Sequence, residues 1–168
     1  MSTGPTPRPD PVQPANAEAL ALARSLMTSA RHAALAYADA DGTPGVSRIA
    51  FGLAPDGTPV TLVSSLAPHF AALRDRPDCA VMLGEPGAKG DPLTHPRLML
   101  KARAGFVAPD DPARPALRAH WLETHTKATL YVDFADFAFV RLTPVSALLN
   151  GGFARAFRLG PQDLRPGP

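Results

Sequence analysis

Apolar residues recur with two different periods along this chain, and the change of period predicts where its elements lie. Between residues 18 and 31 they stand three and four positions apart, which predicts an amphipathic helix with Asn16 as its N-cap. From His32 onward the spacing changes to two, the period of strands that bury one face. The pattern therefore predicts one helix followed by a series of strands.

Turn signals separate the predicted strands. The sequences DADG at 39–42 and PDGT at 55–58 each stand between two apolar runs, as hairpin turns do. Short helices are predicted at 68–75 and 112–123. The predicted strands are 32–38, 45–54, 59–64, 79–83, 97–107 and 136–142, with 147–149 and 154–159 as a closing pair. The fold class is predicted as mainly β (α+β), a six- to seven-stranded antiparallel split barrel with flanking helices.

Composition limits the organisation of the chain. Residues 1–15 hold five prolines and few large apolar side chains, so we expect a disordered tail there and a single domain over 16–164. The 168 residues carry a formal net charge of +2 without basic runs, which does not favour nucleic-acid binding. No long apolar run or leader is visible, so we expect no membrane partner and a cytoplasmic location. Because Cys79 is the single cysteine, an internal disulfide is excluded.

The residues at and just after the end of strand 59–64 are of types that bind anions. Ser64 and Ser65 close the apolar run, and His69 stands in the opening turn of the short helix, where unpaired N–H groups attract negative charge. If Arg48 of the neighbouring strand lies close by, the four side chains make a donor cluster for a dianionic phosphate. The alternatives are that Arg48 is a solvated outer residue and His69 a half-exposed helix residue.

Several segments in order resemble a known family. The segments ALAYADADGTPGVSRIAFGLAPDGTPVTLVSSLAPHFAALRDRPDCAVMLGE and PRLMLKARAGFV resemble the FMN-binding split barrels related to pyridoxamine 5'-phosphate oxidase. The closing segment YVDFADFAFVRLTPVSALLNGGFARAF is similar, more specifically, to the haem-utilisation branch of that superfamily. The resemblance covers roughly residues 17–164.

The resemblance implies an FMN site and its residues. Arg48 would contact the phosphate, the main chain of Ile49, Ala50 and Phe51 would run beside the flavin ring, and Val63 and Ser64 would bond the ring edge or the phosphate. His69 would add a phosphate ligand, Ser65 belongs to the donor cluster described above, and Arg97 would reach the pyrimidine side of the ring. A homodimer with the flavin at its interface is also implied. The expected function is that of an FMN-dependent oxidoreductase acting on a small-molecule substrate, in which the flavin carries the chemistry and no catalytic side chain is named.

Two other functions remain open on the sequence alone. One is a haem-binding or haem-handling protein of the same fold, in which His120 and His125 at a helix end could cooperate in a haem pocket. The other is a non-catalytic flavin store or sensor. His95, His120 and His125 are too dispersed to predict a metal site. The aromatic residues Tyr131, Phe134, Phe137 and Phe139 are predicted as core.

Overall fold

A computed structural model describes residues 10–152 and 155–165. In this part of the chain three α-helices and nine strands are formed. The helices are α1 (Ala17–Ser29), α2 (Pro68–Asp75) and α3 (Arg114–Thr124). The strands are β1 (Val12–Pro14), β2 (His32–Ala38), β3 (Pro44–Ala50), β4 (Gly52–Leu53), β5 (Pro59–Ser64), β6 (Asp78–Leu83), β7 (Arg97–Phe106), β8 (Phe137–Asn150) and β9 (Ala156–Leu159). Short 3-10 turns occur at Pro92–Thr94, Thr126–Leu130 and Pro161–Leu164.

The strand order curls the sheet back on itself. Antiparallel pairs run from β3 through β2, β6 and β7 to β8. The first part of β8 pairs with β5, and β5 pairs with β4. Because Phe51 alone separates β4 from β3, the two ends of this path meet in one bent segment. The fold is therefore mostly β with helices at its margins, as predicted.

Strand number and direction differ from the prediction. The described residues form nine strands instead of six or seven, and β1 pairs with β9 in parallel, so the sheet is mixed and not purely antiparallel. The predicted strands 136–142 and 147–149 are one strand, β8. Its register shifts opposite Lys101 and Ala102, where Val145 is the extra residue between Pro144 and Ser146. A bulge beside a proline, which has no N–H to give, lets one long strand continue.

The predicted tail is only partly described. Residues 1–9 lie outside the described residues, but Val12–Pro14 form β1 in register with Ala156, Phe157 and Arg158. Asp10 also accepts a hydrogen bond from Arg158 at 2.7 Å. The prediction of a disordered segment is therefore wrong for residues 12–14, because a pairing partner far along the chain bonds to them.

Two hydrophobic clusters hold the elements together. The larger one collects the inward-facing side chains of the curled sheet with those of α1, Leu73 of α2 and Leu164. The smaller one lies between α3 and the strands β5 and β8, around Trp121 and Phe139. Burying a side chain of this size contributes about 1.5–3 kcal/mol. The smaller cluster thereby fixes α3 and the loop that follows it against the sheet.

None of the helices in the described residues is long and apolar enough to cross a membrane.

Candidate functional site

Arg48 lies on the outer face of the sheet. Its neighbour Ile49 is buried in the larger cluster, whereas Arg48 is exposed and pairs with Ala34 of β2. Residues that face each other on paired strands share a face, and successive residues alternate between faces. The side chain of Arg48 is therefore directed away from the interior of the curled sheet.

His69 lies on the other side of the same strands. Its ring is buried at 9% exposure and stands 6.0 Å from the ring of Tyr37, which pairs with Gly45 on the inner face. Burial lowers the pKa of His69 because it penalises the charged imidazolium. A neutral, inward-lying imidazole does not supply the positive charge expected for a phosphate ligand.

Ser64 and Ser65 bond to Asp136 instead of standing free. The hydroxyl of Ser64 donates to the Asp136 carboxylate at 2.8 Å, and the N–H of Ser65 donates to the Asp136 carbonyl at 2.6 Å. Asp136 comes just before β8, where Phe137 pairs with Ser64. The two serines that end β5 thus tie it to the start of β8.

The remaining predicted flavin residues are scattered. Ile49, Phe51 and Val63 are buried, and the N–H of Phe51 donates to the carbonyl of Arg31 at 2.9 Å. Ala50 is half-buried and pairs with His32. Arg97 shares the outer face with Arg48 but is separated from it by three strand spacings, roughly 14 Å. Its guanidinium donates to the carbonyl of Leu93 at 2.9 Å. Of the predicted cluster, Arg48 and His69 thus lie on opposite faces of the sheet, and Ser64 and Ser65 have Asp136 as their partner.

The histidines proposed for a haem pocket do not converge either. His120 pairs with Glu123 at 3.2 Å on the surface of α3. His125 stacks on Trp121 with ring centroids 3.8 Å apart, and its Nε2 donates to the carbonyl of Arg31 at 3.1 Å. No group of three or more histidine, cysteine or acidic side chains in the described residues is arranged to hold a metal ion.

A large cavity lies instead between α2, the end of β7, the start of α3 and the start of β8. Its volume is about 660 Å³. We call it the Phe–Arg cavity after the side chains that characterise its lining: Phe70, Arg74, Phe106, Arg114, Phe134 and Phe137. Phe134 is 57% exposed at its edge, so the prediction that this ring is core is wrong.

Arg74 is held between two aromatic rings in this cavity. Its guanidinium carbon stands 5.7 Å from the centre of the Phe70 ring and 5.6 Å from that of Phe106. The two rings contact each other edge to face at 4.9 Å. Cations are attracted to ring faces at such distances, so the rings fix the position of the charge without neutralising it.

The one acidic side chain in the lining is already paired. Asp133 accepts two hydrogen bonds from Arg118, at 2.8 and 2.6 Å, and this contact lowers the pKa of Asp133. In the described part of the chain neither Arg74 nor Arg114 forms an ion pair. The cavity thus combines apolar rings with two arginines that form no ion pair there, although the charge of Arg114 also lowers the pKa of Asp133 in the same lining. The Arg114 guanidinium donates to the carbonyl of Val132 at 3.4 Å.

Comparisons with known proteins support the predicted resemblance. No family model matches the sequence. The chain is 32% identical over 117 residues to "Non-canonical heme oxygenase HOZ, chloroplastic" from Arabidopsis thaliana, an alignment covering 70% of this chain. A solved structure described as a heme binding protein from Mycobacterium smegmatis aligns over 89% of it at 29% identity and a TM-score of 0.79. These likenesses agree with the resemblance that the sequence predicted, to the haem-utilisation branch of the pyridoxamine 5'-phosphate oxidase-like split barrels.

This split barrel is shorter than the plant and the mycobacterial relative. The chain spans 35% of the plant protein and 61% of the mycobacterial chain. Another solved structure, 42% identical, aligns over 92% of this chain and 100% of its own, with a TM-score of 0.83. The split-barrel body is therefore shared in full with one structure and forms part of two longer chains.

Sequence reasoning missed the Phe–Arg cavity in this split barrel. Its aromatic residues come from α2, β7 and the start of β8 with the segment before it, which are far apart in sequence, and of these rings Phe134 and Phe137 were predicted as core. One signal was present: Arg74 stands four residues after Phe70 and therefore on the same face of a helix.

Proposed function

We propose that this chain is a haem-binding protein that takes up haem in the Phe–Arg cavity. The observation that carries the proposal is the lining of that cavity, four phenylalanine rings and two arginines that form no ion pair in the described residues. Haem is a flat, largely apolar macrocycle with two carboxylate groups at one edge. The names of the plant and mycobacterial relatives support the same ligand for this chain.

The cavity fits the macrocycle in size and chemistry. Its volume of about 660 Å³ lies in the range of small-molecule and cofactor sites. Phenylalanine rings offer faces and edges on which a conjugated ring packs favourably. Arg74 and Arg114 present planar guanidinium groups, which recognise carboxylates through paired hydrogen bonds.

The lining of the cavity contains none of the side chains that usually ligate haem iron. The residues that line the cavity include no histidine, cysteine, methionine or tyrosine, the side chains that hold haem iron in proteins. The chain's own residues would therefore contact the macrocycle and bind its carboxylates, and would not ligate the iron. This arrangement favours uptake, storage or transfer of haem by the split barrel. A flavin-dependent oxidoreductase is less well supported, since the predicted phosphate donors have other partners.

A haem titration of arginine variants tests this proposal. Adding haemin to the wild type should give a saturable shift of the Soret band. The double variant Arg74→Ala, Arg114→Ala should bind haemin at least tenfold more weakly, because each lost charge-assisted contact is worth about 1.5–3 kcal/mol.

A surface arginine provides the matched control. Arg103 pairs with Asp78 at 3.3 Å on the exposed side of β7, and Arg103→Ala should leave the haemin affinity unchanged. Equal affinity of the wild type and the double variant, with both proteins folded, would contradict the proposed site.

We also propose that two copies pair through the outer face of the sheet. An almost wholly apolar patch lies there, formed by Ala34, Ala36, Val46, Met82 and Met99 on β2, β3, β6 and β7. Val46 is 73% exposed, which is unusual for a β-branched apolar residue in the middle of a strand. Arg48 and Arg97 lie on the same face, so a second copy would cover both.

Sedimentation velocity tests the dimer. The wild type should sediment as twice the 17.7 kDa chain mass, and Val46→Glu should shift it to the monomer because a charge would be buried without a partner. Leu130→Glu is the control, since Leu130 is 76% exposed in the turn after α3, away from the patch. A monomeric wild type, or a dimeric Val46→Glu variant, would exclude this interface.

A further inference from the structure

The end of β5 has the residue types of a phosphate cradle, but its donors are already used. The hydroxyl of Ser64 and the N–H of Ser65 both donate to Asp136. The N–H of Leu66 donates back to the Ser64 hydroxyl at 3.2 Å. The N–H of Ala67 donates to the Ser64 carbonyl at 3.0 Å. A phosphate at this turn would have to displace these bonds.

The first turn of α2 adds little. Pro68 has no N–H, and that of Phe70 donates to the carbonyl of Ala67 at 2.9 Å. Helix N-termini bind anions through several free N–H groups at once, and two positions of this turn, Pro68 and Phe70, have none to offer.

The negative charge of Asp136 also disfavours a phosphate at this turn. Asp136 places a carboxylate within hydrogen-bond distance of the Ser64 hydroxyl, the atom that would have to receive a phosphate oxygen. Like charges at such separations repel strongly when partly shielded from water, and Asp136 is half-buried. The neutral, buried His69 and the outward-facing Arg48 do not compensate for it.

We infer that Asp136 is a specificity-determining residue that excludes a phosphate group from the end of β5, and thereby selects against FMN at this position. The Asp136 carboxylate accepts the hydrogen bond of the Ser64 hydroxyl that a phosphate would need, and the main-chain carbonyl of Asp136 accepts that of the Ser65 N–H, so the turn is bonded without a ligand. Specificity achieved by repelling the wrong ligand is a general strategy. The inference rests on the β5 turn alone and does not depend on the haem proposal.

A comparison of FMN with riboflavin isolates the phosphate, because the two molecules share the flavin ring and differ in that group. Quenching of flavin fluorescence gives the affinity of each. The wild type should bind both equally, within about threefold. Asp136→Asn keeps the shape of the side chain and an oxygen that accepts from Ser64, but removes the charge. This variant should gain at least tenfold in FMN affinity, with riboflavin binding unchanged.

Asp78→Asn is the matched control. It removes the same unit charge from the exposed surface of β6, where Asp78 pairs with Arg103, and should leave both affinities unchanged. A folded Asp136→Asn variant without a gain in FMN affinity would overturn the inference.

The wild type and a second variant keep the test decisive if Asp136→Asn does not fold. Ser64→Ala removes the hydroxyl that a bound phosphate would need and should not weaken FMN binding. A wild type that binds FMN tenfold more tightly than riboflavin would overturn the inference. A Ser64→Ala variant that selectively loses FMN would do the same.

Discussion

At the scale of single residues, His69 combines burial with a ring nitrogen that has no partner. Its Nδ1 makes no hydrogen bond in the described structure, and burial holds the pKa of His69 below the ordinary 6.5. In the unfolded chain His69 therefore binds a proton near pH 6.5, whereas in the folded chain it does not yet bind one at that pH. The free energy of unfolding then rises with pH in this window, because the unfolded state binds more protons.

The pH dependence of stability should follow from this residue. The stability linked to His69 is complete above pH 6.5 and is lost as the pH falls towards the folded-state pKa. Urea unfolding between pH 7.5 and 5.5 should show a decline that His69→Gln reduces. An unchanged slope in His69→Gln would show that the buried imidazole does not set it.

At the scale of elements, α3 is fixed to the sheet by a close approach of its Trp121 to β4. A Cβ atom at Gly52 would stand 3.1 Å from the Trp121 ring and 3.3 Å from His125, which stacks on that ring. The φ angle of Gly52 is not in the left-handed region, so its backbone conformation does not call for glycine. The constraint at this position is the space that a side chain would need.

Gly52→Ala should destabilise the protein by about 1–3 kcal/mol, the usual cost of overpacking a core. Urea denaturation monitored by Trp121 fluorescence measures this. Gly105→Ala is the control, because a Cβ atom there meets nothing within 4 Å, and its effect should stay within about 0.5 kcal/mol. Equal effects of the two substitutions would show that the contact between α3 and β4 is not tight.

Elements with local signals were predictable from the sequence. Asn16 caps α1 by accepting from the N–H of Ala19 at 2.8 Å, and the hairpins follow their turn residues. Features that depend on distant partners were not. The pairing of β1 with β9 and the continuity of β8 through its bulge are each decided by a strand far along the chain.

The same distinction applies to the candidate site. The residue types at the end of β5 were read correctly as hydrogen-bond donors, but their acceptor, Asp136, lies 72 residues from Ser64. The outer face on which Arg48 lies is one of the two placements that the sequence left open. The haem alternative was predicted from family resemblance and not from any cluster of side chains, and the relatives support it better than FMN.

At the scale of the whole molecule, three surfaces of the split barrel have different chemistry. The β5 turn is internally bonded around Asp136. The outer face of the sheet is apolar and exposed. The Phe–Arg cavity combines rings with two arginines that form no ion pair in the described chain. Of these, the cavity is the one whose volume and charge suit a flat dicarboxylate, and the account of function depends on it.

The position of bound iron tests that account most directly. Crystals of the full chain grown with haemin, measured at the iron absorption edge, give an anomalous difference peak wherever the iron lies. The account predicts one peak per chain inside the Phe–Arg cavity, between α2 and the start of α3, with the haem carboxylates at Arg74 and Arg114. A peak on the outer face of the sheet, or at the β5 turn, would contradict it.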